Sequence, residues 1–437
     1  MSVLNKSLKS RWFPIAKMLL APFHRPLRAS WSSAPSNEHT VGVRPILSRK
    51  PSSPSAIPLE KIILGLPRLF PRSVEQSVRD FWDFKRDSGA FQEELLSSLP
   101  FFPNARDGKT AKILRTPIDD QGNYINEFCI MPTNPNREKP MKHLILIHGY
   151  GAGLGFFLKN LEKLPLINDS WCIHALDLPG YGFSSRPRLP FHFAKDSAEQ
   201  VEQWFHTRFQ RWMKARGLLE NPHNNMLVAH SMGAYLVALY ANKFPGHFQK
   251  LIMCSPAGVC HSSPKLGRKP PPWWFQKLWD RNISPFSLVR NTNILGSKLT
   301  SGWSYRRFEQ LLHDKTAGLR QCEALHRYAY AIFNRPGSGE YFLAFALRCG
   351  GDPRVSLEER MFHNVENQFK AKCDWLWLYG DQDWIDATGG IRASQFLMEK
   401  MGSNSLVEIV KDSGHHLYLD NYQHFNNILE REMHKWN

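Results

Sequence analysis

Residues 227–235 read L-V-A-H-S-M-G-A-Y, an apolar run that enters a turn of small residues at Ser231 and leaves it in a helical pattern. A strand, a sharp turn and a helix in this order expose the turn serine on a tight bend and point the helix N-terminus towards it. The stretch differs from G-x-S-x-G only in carrying Ala229 at the first glycine. It predicts that Ser231 is a nucleophile; the alternative is a serine that only caps the following helix.

Five further short apolar runs also end in polar or glycine-rich turns, and helical patterns separate them along the chain. They cover residues 143–147, 172–176, 251–254, 375–379 and 406–410. Short buried strands that alternate with helices indicate an α/β fold with a mostly parallel, doubly wound sheet. Ligands bind such sheets beyond the carboxyl ends of the strands, which is where all of these turns lie.

A serine hydroxyl is a weak nucleophile at neutral pH and needs a base and an acid that orients the base. His415 follows the last strand and a glycine, so it is the predicted base, with the adjacent His416 as the alternative. Three carboxylates follow the strand at 375–379. Asp383 is the predicted acid because it is the third residue after the glycine, and Asp381 and Asp386 remain open as alternatives.

The reaction also needs donors for the oxyanion, and backbone N–H groups are the predicted ones. Met232 would supply one at the start of the helix, and Tyr150 or Gly151 the other, in the glycine-rich run after His148. Glycines there let the backbone approach a substrate without a Cβ in the way. This chemistry calls for no metal and no cofactor.

Residues 148–155, H-G-Y-G-A-G-L-G, resemble the H-G-[FY]-G-x-G-x-G segment of one α/β-hydrolase subfamily. It contains the mammalian lipase co-activator mutated in neutral lipid storage disease, the N-acyl-phosphatidylethanolamine lysolipases and the fungal mitochondrial cardiolipin-specific deacylases. The order Ser…Asp…His is also that of α/β-hydrolases. Further matches to the subfamily lie at residues 177–184, 284–290, 337–340, 379–386 and 414–420.

The resemblance implies an α/β-hydrolase fold and a serine hydrolase of phospholipid acyl esters, with cardiolipin as the expected substrate. It also implies an alternative, because His415 and Asp420 form an H-x-x-x-x-D spacing that several members link to acyl-CoA-dependent acylation of lysophosphatidic acid. Acyl-CoA would then be a co-substrate. A plainer interpretation is that Asp420 caps the helix from residue 422 onward. A second alternative is a non-enzymatic lipid- or lipase-binding scaffold, because the mammalian co-activator lacks the nucleophile.

The sequence divides into five segments by composition. A leader covers residues 1–50, and a Pro- and Ser-rich linker covers 51–71. The hydrolase core has two parts, at 72–257 and 371–437. Between them lies a helical lid insertion at 258–370. The core is predicted to open with a helical segment over residues 72–99 and two strands at 111–116 and 124–131.

The leader carries nine Lys or Arg residues against one acid, Glu38, which is a net +8 of the chain's +17. A basic, Ser-rich, acid-poor and amphipathic leader is typical of a mitochondrial transit peptide, and the alternative is a disordered basic tail. We therefore expect the protein in the mitochondrion, on the matrix side or at the inner membrane. No apolar run is long enough to predict a membrane-spanning helix.

The lid insertion interleaves aromatic and basic residues, most densely at 270–281 and 303–308. Rings at headgroup level and cations facing phosphates suit peripheral contact with an anionic membrane surface. The same mixture of residues would also suit binding of single-stranded nucleic acid. No nucleic-acid-binding motif accompanies these residues, so we predict a phospholipid partner and no nucleic acid. The alternative is a lid packed only on the sheet.

The chain has seven cysteines, no C-x-x-C pair and several cysteines in apolar strand-like runs. This spacing argues against a disulfide framework and against a zinc site, and it favours a reducing compartment.

Overall fold

The structure, a computed structural model, describes residues 69–135, 138, 140–193, 195–261, 271–362 and 370–436. Eight strands form one sheet in the order β1-β2-β4-β3-β5-β6-β7-β8. β2 pairs antiparallel with β1 and β4, and every other pair is parallel. The predicted α/β fold is therefore confirmed. The strands are β1 (Lys109–Pro117), β2 (Tyr124–Pro132), β3 (Lys142–Ile147), β4 (Trp171–Leu176), β5 (Asn225–His230), β6 (Lys250–Cys254), β7 (Asp374–Gly380) and β8 (Ser405–Val410).

Helices cover both faces of the sheet and its carboxyl edge. The α-helices are α1 (Val74–Arg86), α2 (Ala90–Leu96), α3 (Leu158–Lys163), α4 (Ala198–Ala215), α5 (Met232–Lys243), α6 (Trp273–Asp280), α7 (Phe286–Asn291), α8 (Gly296–Arg307), α9 (Gly318–Asn334), α10 (Leu343–Ala346), α11 (Thr388–Met401), α12 (Leu417–Asp420) and α13 (Tyr422–His434). Shorter 3₁₀ turns lie at Leu154–Phe157, Leu164–Leu166, Pro222–Asn224, Asn293–Leu295, Glu309–His313 and Gly339–Phe342, and a π-helical turn at Glu358–Phe362.

The central strands are buried on both faces. Leu144 and Ile145 in β3 and Leu227 and Val228 in β5 are at most 1% exposed, although neighbouring residues in a strand point to opposite faces. This explains why these segments are continuous apolar runs rather than alternating ones.

The segment predicted to be helical over 72–99 consists of two helices, α1 and α2. The break has a local cause: Asp87 takes an extended backbone after α1, and its side chain accepts a hydrogen bond of 2.8 Å from the N–H of Gly89. Asp and Gly both favour such a turn over a continued helix. The Phe91 side chain then turns inward and is fully buried in α2.

Helix α1 packs against the inserted helices through a buried ion cluster. Asp80 in α1 is completely buried and lies 2.6 Å from a guanidinium nitrogen of each of Arg72 and Arg327. The carbonyl of Phe70, in the segment predicted as linker, accepts a hydrogen bond from Lys298 Nζ at 3.1 Å. The end of this segment is therefore anchored on α8.

Helices α6 to α10 lie between β6 and β7, where the sequence predicts a lid insertion over 258–370. Residues 262–270 and 363–369 of that range lie outside the described residues, as does the leader at 1–50. Within the described part of the chain, no helix has both the length and the apolar character needed to cross a bilayer.

Candidate active site

Ser231 lies on a strained bend between β5 and α5. Its φ of 53° and ψ of −118° fall outside the ordinary strand and helix regions for a residue with a Cβ. Two backbone hydrogen bonds hold the bend: the Ser231 N–H donates to the carbonyl of Cys254 at 2.9 Å, and the Ser231 carbonyl accepts from Ala257 at 3.1 Å. The Ser231 side chain makes no capping hydrogen bond, so the alternative of a simple helix cap is wrong.

The structure brings Ser231, His415 and Asp383 into one hydrogen-bonded chain. His415 Nε2 lies 2.9 Å from Ser231 Oγ, and His415 Nδ1 lies 3.1 Å from Asp383 Oδ1. These contacts require a proton on Nδ1, which the carboxylate accepts, and they leave Nε2 free to take the serine proton. This is the arrangement that activates a serine hydroxyl for attack.

The other two carboxylates after β7 have different partners. Asp381 Oδ1 accepts a hydrogen bond of 3.0 Å from the N–H of Ser413, and Asp386 Oδ1 accepts one of 2.7 Å from the N–H of Thr388. Asp383 therefore is the carboxylate of the three that reaches His415.

The side chain of Asp383 is buried, but its surroundings stabilise the ionised carboxylate. Burial raises the pKa of Asp383, but the charge of His415, hydrogen bonds from His415 and the N–H of Ile385, and the nearby hydroxyl of Ser255 outweigh it, so the pKa lies below its usual value. Ser255 stands at the carboxyl end of β6, one of the strand ends that the sequence pattern marked, but its role was missed because serine there is an ordinary turn former.

His416 points away from the serine, into a buried group of rings that includes His230 and Tyr418. His230 Nε2 donates to the carbonyl oxygen of His415 at 2.8 Å and so fixes the backbone of the base. Burial, reinforced by the charge of His415, holds the pKa of His230 well below its usual value. His230 therefore stays neutral with its proton on Nε2.

The glycine-rich loop after β3 lies against the nucleophile bend. A Cβ on Gly149 would stand 2.9 Å from Ser231 Cβ and 2.8 Å from His230 Nδ1, so only glycine fits there. The backbone of Tyr150 consequently follows directly beside Ser231. Met232 is the first residue of α5, where an N–H has no partner within its own helix. Both predicted oxyanion donors therefore come from segments that border Ser231.

The alpha/beta hydrolase fold family model matches residues 142–422. The chain belongs to the α/β-hydrolase fold family. The match runs from β3 to the start of α13 and so includes Ser231, Asp383, His415 and all the inserted helices.

Among known members of the family, an Arabidopsis thaliana 1-acylglycerol-3-phosphate O-acyltransferase is 31% identical over 64% of this chain and 63% of that protein. The human (lyso)-N-acylphosphatidylethanolamine lipase is 26% identical over 66% of this chain and 78% of that protein. A solved naproxen esterase from Bacillus subtilis is 16% identical, with a TM-score of 0.48, and covers 81% of this chain and 99% of that chain.

These names support the subfamily that the sequence motifs indicate, a group of α/β-hydrolases whose members are named for phospholipid acyltransferase and lipase activities. They do not single out the fungal cardiolipin-specific deacylases within it.

Asp177 connects two glycine-rich motifs of this α/β-hydrolase-fold chain. Its buried carboxylate accepts hydrogen bonds from the N–H groups of Leu154 at 2.8 Å and Phe183 at 2.7 Å, and from Asn126 Nδ2 at 2.8 Å. It thereby ties the loop after β3 to the loop after β4. The motif at residues 177–184 predicts no role for Asp177, because two of its partners, Leu154 and Asn126, lie 23 and 51 residues away.

The inserted helices contact the site through aromatic rings. The ring of Tyr150 stacks on Phe286 of α7 with centroids 5.5 Å apart, and Phe286 stacks on Phe333 of α9 at 4.5 Å. The loop that carries a predicted oxyanion donor is therefore packed directly under the lid, and its position depends on the lid.

Asp420 does not reach the serine, and it does not cap α13. Its Oδ2 accepts a hydrogen bond of 3.0 Å from the N–H of Gly414, and its Oδ1 pairs with Arg307 of the lid. Asn421 caps α13 instead, with its side chain accepting from the N–H of His424 at 3.1 Å. The interpretation of Asp420 as a helix cap was therefore wrong: this carboxylate holds the loop that carries His415.

Ala229 stands where the G-x-S-x-G motif has its first glycine, but its methyl group does not crowd the packing of β5 against α5. Ala229 lies in the middle of the sheet, fully buried in a hydrophobic cluster with Ile147 and Met253. Close approach occurs instead at Gly233, where a Cβ would stand 2.3 Å from the carbonyl oxygen of His148. The second glycine of the motif is therefore the one that the packing requires.

We expect Gly233→Ala to lower the free energy of unfolding by about 1–3 kcal/mol and to reduce activity, because the added methyl forces α5 away from β3. Ala229→Gly is the matched control: it restores the usual motif, costs about 0.5–1 kcal/mol from strand flexibility and leaves kcat unchanged. Urea unfolding and ester hydrolysis measure both. Equal effects of the two substitutions on kcat would contradict the conclusion that the packing requires glycine at position 233 and not at position 229.

Proposed function

We propose that this protein is a serine hydrolase that cleaves fatty acyl esters of mitochondrial phospholipids, with cardiolipin as the expected substrate. The observation that carries the proposal is the continuous chain from Ser231 Oγ through His415 to the buried carboxylate of Asp383, with contacts of 2.9 and 3.1 Å. Its members stand at the carboxyl ends of three strands, where α/β proteins bind ligands.

In the proposed reaction, Ser231 Oγ attacks the acyl carbon and its proton passes to His415 Nε2. The N–H groups of Met232 and Tyr150 bind the oxyanion that forms. The ester bond then breaks, and the lysophospholipid alcohol leaves with the proton from His415. Water attacks the acyl-enzyme with His415 again as base, which releases the fatty acid and restores the serine.

The choice of a phospholipid rests on the related proteins, whose names specify a lysophosphatidic acid acyltransferase in one case and a phospholipid lipase in another. The choice of cardiolipin rests on the motif resemblance to the fungal deacylases. Purified full-length protein offered separate vesicles of cardiolipin and phosphatidylcholine tests both. Release of fatty acid from cardiolipin at a higher kcat/KM supports the proposal, and no release from either vesicle contradicts it.

The second candidate function is acyl-CoA-dependent acylation of lysophosphatidic acid, which the names of several relatives favour. The same acyl-enzyme could pass its acyl group to a lysophospholipid instead of water, with acyl-CoA as the acyl donor. The contacts of Asp420 support one shared site, since this carboxylate stabilises the His415 loop. Lysophosphatidic acid with labelled acyl-CoA, in the absence of phospholipid, separates the two reactions.

We expect Asp420→Asn to lower kcat for hydrolysis and for acyl transfer together, by about 10- to 100-fold, because the loop that positions His415 loses its contacts to Gly414 and Arg307. Asp412→Asn is the matched control, since Asp412 is an exposed carboxylate near the same loop. Loss of acyl transfer alone would instead make Asp420 a residue of a separate acyltransferase site.

The proposal includes peripheral contact with an anionic membrane surface through the lid. Trp273 is 71% exposed at the start of α6, and Lys277 lies one turn later with its ammonium 5.0 Å from the Trp273 ring centroid. An exposed indole beside a cation fits the headgroup region of a bilayer.

We expect Trp273→Ala to weaken binding to cardiolipin-containing vesicles by about tenfold and to leave hydrolysis of a soluble short-chain ester unchanged. Vesicle sedimentation measures the binding. Leu406→Ala, which removes an exposed apolar side chain on β8, is the matched control. Equal binding by wild type and Trp273→Ala would exclude this part of α6 as a contact.

Mitochondrial location rests on the composition of residues 1–50. Imaging the full-length protein beside one that begins at residue 51 tests it, with loss of mitochondrial signal expected for the shorter chain.

A further inference from the structure

A second cluster of reactive side chains lies in the core at the opposite end of the sheet from Ser231. Three ligating atoms, one each from Cys129, Cys172 and His174, lie within 4.8 Å of one another, and all three residues are buried. His143 adjoins them, with its Nδ1 3.0 Å from His174 Nε2. The reaction proposed above uses none of these groups.

Sheet register places all four side chains on one face. Cys129 in β2 is paired with His174 in β4, and Cys172 in β4 is paired with His143 in β3. Paired residues share a face, and so do Cys172 and His174, which are two residues apart in one strand. Strands β2 and β4 therefore supply two sulfurs and the His174 imidazole to one buried location, and the half-buried His143 of β3 lies beside it.

We propose that Cys129, Cys172 and His174 bind a zinc ion, with His143 beside the site, its Nδ1 3.0 Å from His174 Nε2. Two thiolates and one imidazole are three of the four ligands in common structural zinc sites. Tetrahedral zinc–sulfur bonds of about 2.3 Å place two sulfurs about 3.8 Å apart. The two Sγ atoms lie 3.5 Å apart, close to that value.

A disulfide fits this pair less well. Cys172 lies two residues from the partner of Cys129, so the two cysteines are diagonal neighbours on antiparallel strands. Diagonal pairs have Cα atoms about 7–8 Å apart, whereas disulfides need about 4.4–6.8 Å. An ion that bridges the sulfurs avoids this mismatch.

The surroundings supply what a zinc site needs beyond its ligands. Glu127 Oε1 lies 2.6 Å from His174 Nδ1, which orients the ring and leaves Nε2 for the metal. Glu127 Oε2 is itself held by Trp212 Nε1 at 2.9 Å and by Arg216 at 3.1 Å.

The test is the metal content of untagged, full-length protein produced in zinc-supplemented medium. We expect about one zinc per chain, and less than about a tenth of that in Cys129→Ser and Cys172→Ser. Cys322→Ser is the matched control, since Cys322 is a buried cysteine in α9 outside the cluster. Fluorophosphonate labelling of Ser231 shows whether each variant is folded.

Cobalt substitution of the wild-type protein gives an answer that does not depend on any variant. Two thiolate ligands produce thiolate-to-cobalt charge-transfer bands, together with the visible spectrum of tetrahedral cobalt. Absence of zinc from the wild type, absence of these bands, or recovery of Cys129 and Cys172 joined in a disulfide would each overturn the proposal. So would unchanged zinc content in both serine variants.

Discussion

Ser231→Ala is expected to lower kcat for phospholipid hydrolysis by about five to six orders of magnitude, because no other described side chain takes the place of its hydroxyl beside His415. The backbone of the bend is held by hydrogen bonds of the Ser231 N–H and carbonyl, which alanine retains. The fold should therefore survive, with the free energy of unfolding changed by less than about 1 kcal/mol.

Two measurements check this result. A fluorophosphonate probe should label the wild type at Ser231 and leave Ser231→Ala unlabelled, and fatty acid release from cardiolipin vesicles should fall in parallel. Ser394→Ala is the matched control: Ser394 is also buried, but it lies in α11. It should retain both labelling and activity.

The opposite result would favour a different class of protein. If the wild type takes no label and Ser231→Ala has the same lipid profile in cells, the protein is a lipid- or lipase-binding scaffold on a hydrolase fold. The geometry around Ser231 would then be a retained but unused arrangement.

Asp383→Asn is expected to have the second-largest effect, a fall in kcat of about 10⁴-fold. The amide no longer stabilises an imidazolium, and it favours the His415 tautomer that carries its proton on Nε2, which cannot accept the serine proton. KM should change little because Asp383 is buried behind His415 and does not face the substrate.

The controls for this prediction are the two neighbouring carboxylates. Asp381→Asn and Asp386→Asn alter hydrogen bonds to the backbone of Ser413 and Thr388, so they should cost less than about tenfold in kcat. If either control is as damaging as Asp383→Asn, the contact between Asp383 and His415 is not the one that orients the base.

Stability against pH gives an independent check on Asp383. Its pKa is lower in the folded protein than in the unfolded chain, so the carboxylate contributes stability above the unfolded pKa of about 3.9. This contribution is lost as pH falls through the lower folded pKa. The difference in unfolding free energy between wild type and Asp383→Asn should therefore shrink on acidification below about pH 4.

The α/β sheet could be predicted from the sequence because its signal is local. Each central strand is a continuous apolar run, and each run ends in a turn whose residues are adjacent in sequence. Ser231 and His415 were found for the same reason, since each stands directly after a strand. The break between α1 and α2 was not predicted, because a single turn at Asp87 and Gly89 makes it.

The remaining features depend on groups that are distant in sequence. Asp383 was predicted from its place three residues after Gly380, but Asp381 and Asp386 stayed open, and the position of the loop relative to His415 decides among the three. Asp420 was taken as a helix cap because its partner Arg307 lies 113 residues away in the lid. The cysteine spacing argued against a zinc site, because ligands on two different strands leave no short motif.

The sequence by itself determined the sheet, the bend at Ser231 and the chain order of the predicted nucleophile, acid and base, because strand periodicity and turn chemistry act over fewer than about ten residues. Only the tertiary structure decided which carboxylate orients His415, why Gly233 and not Ala229 limits the bend, and how Cys129, Cys172 and His174 meet. These outcomes depend on distances of a few ångströms between segments that the chain brings together only when the sheet is complete.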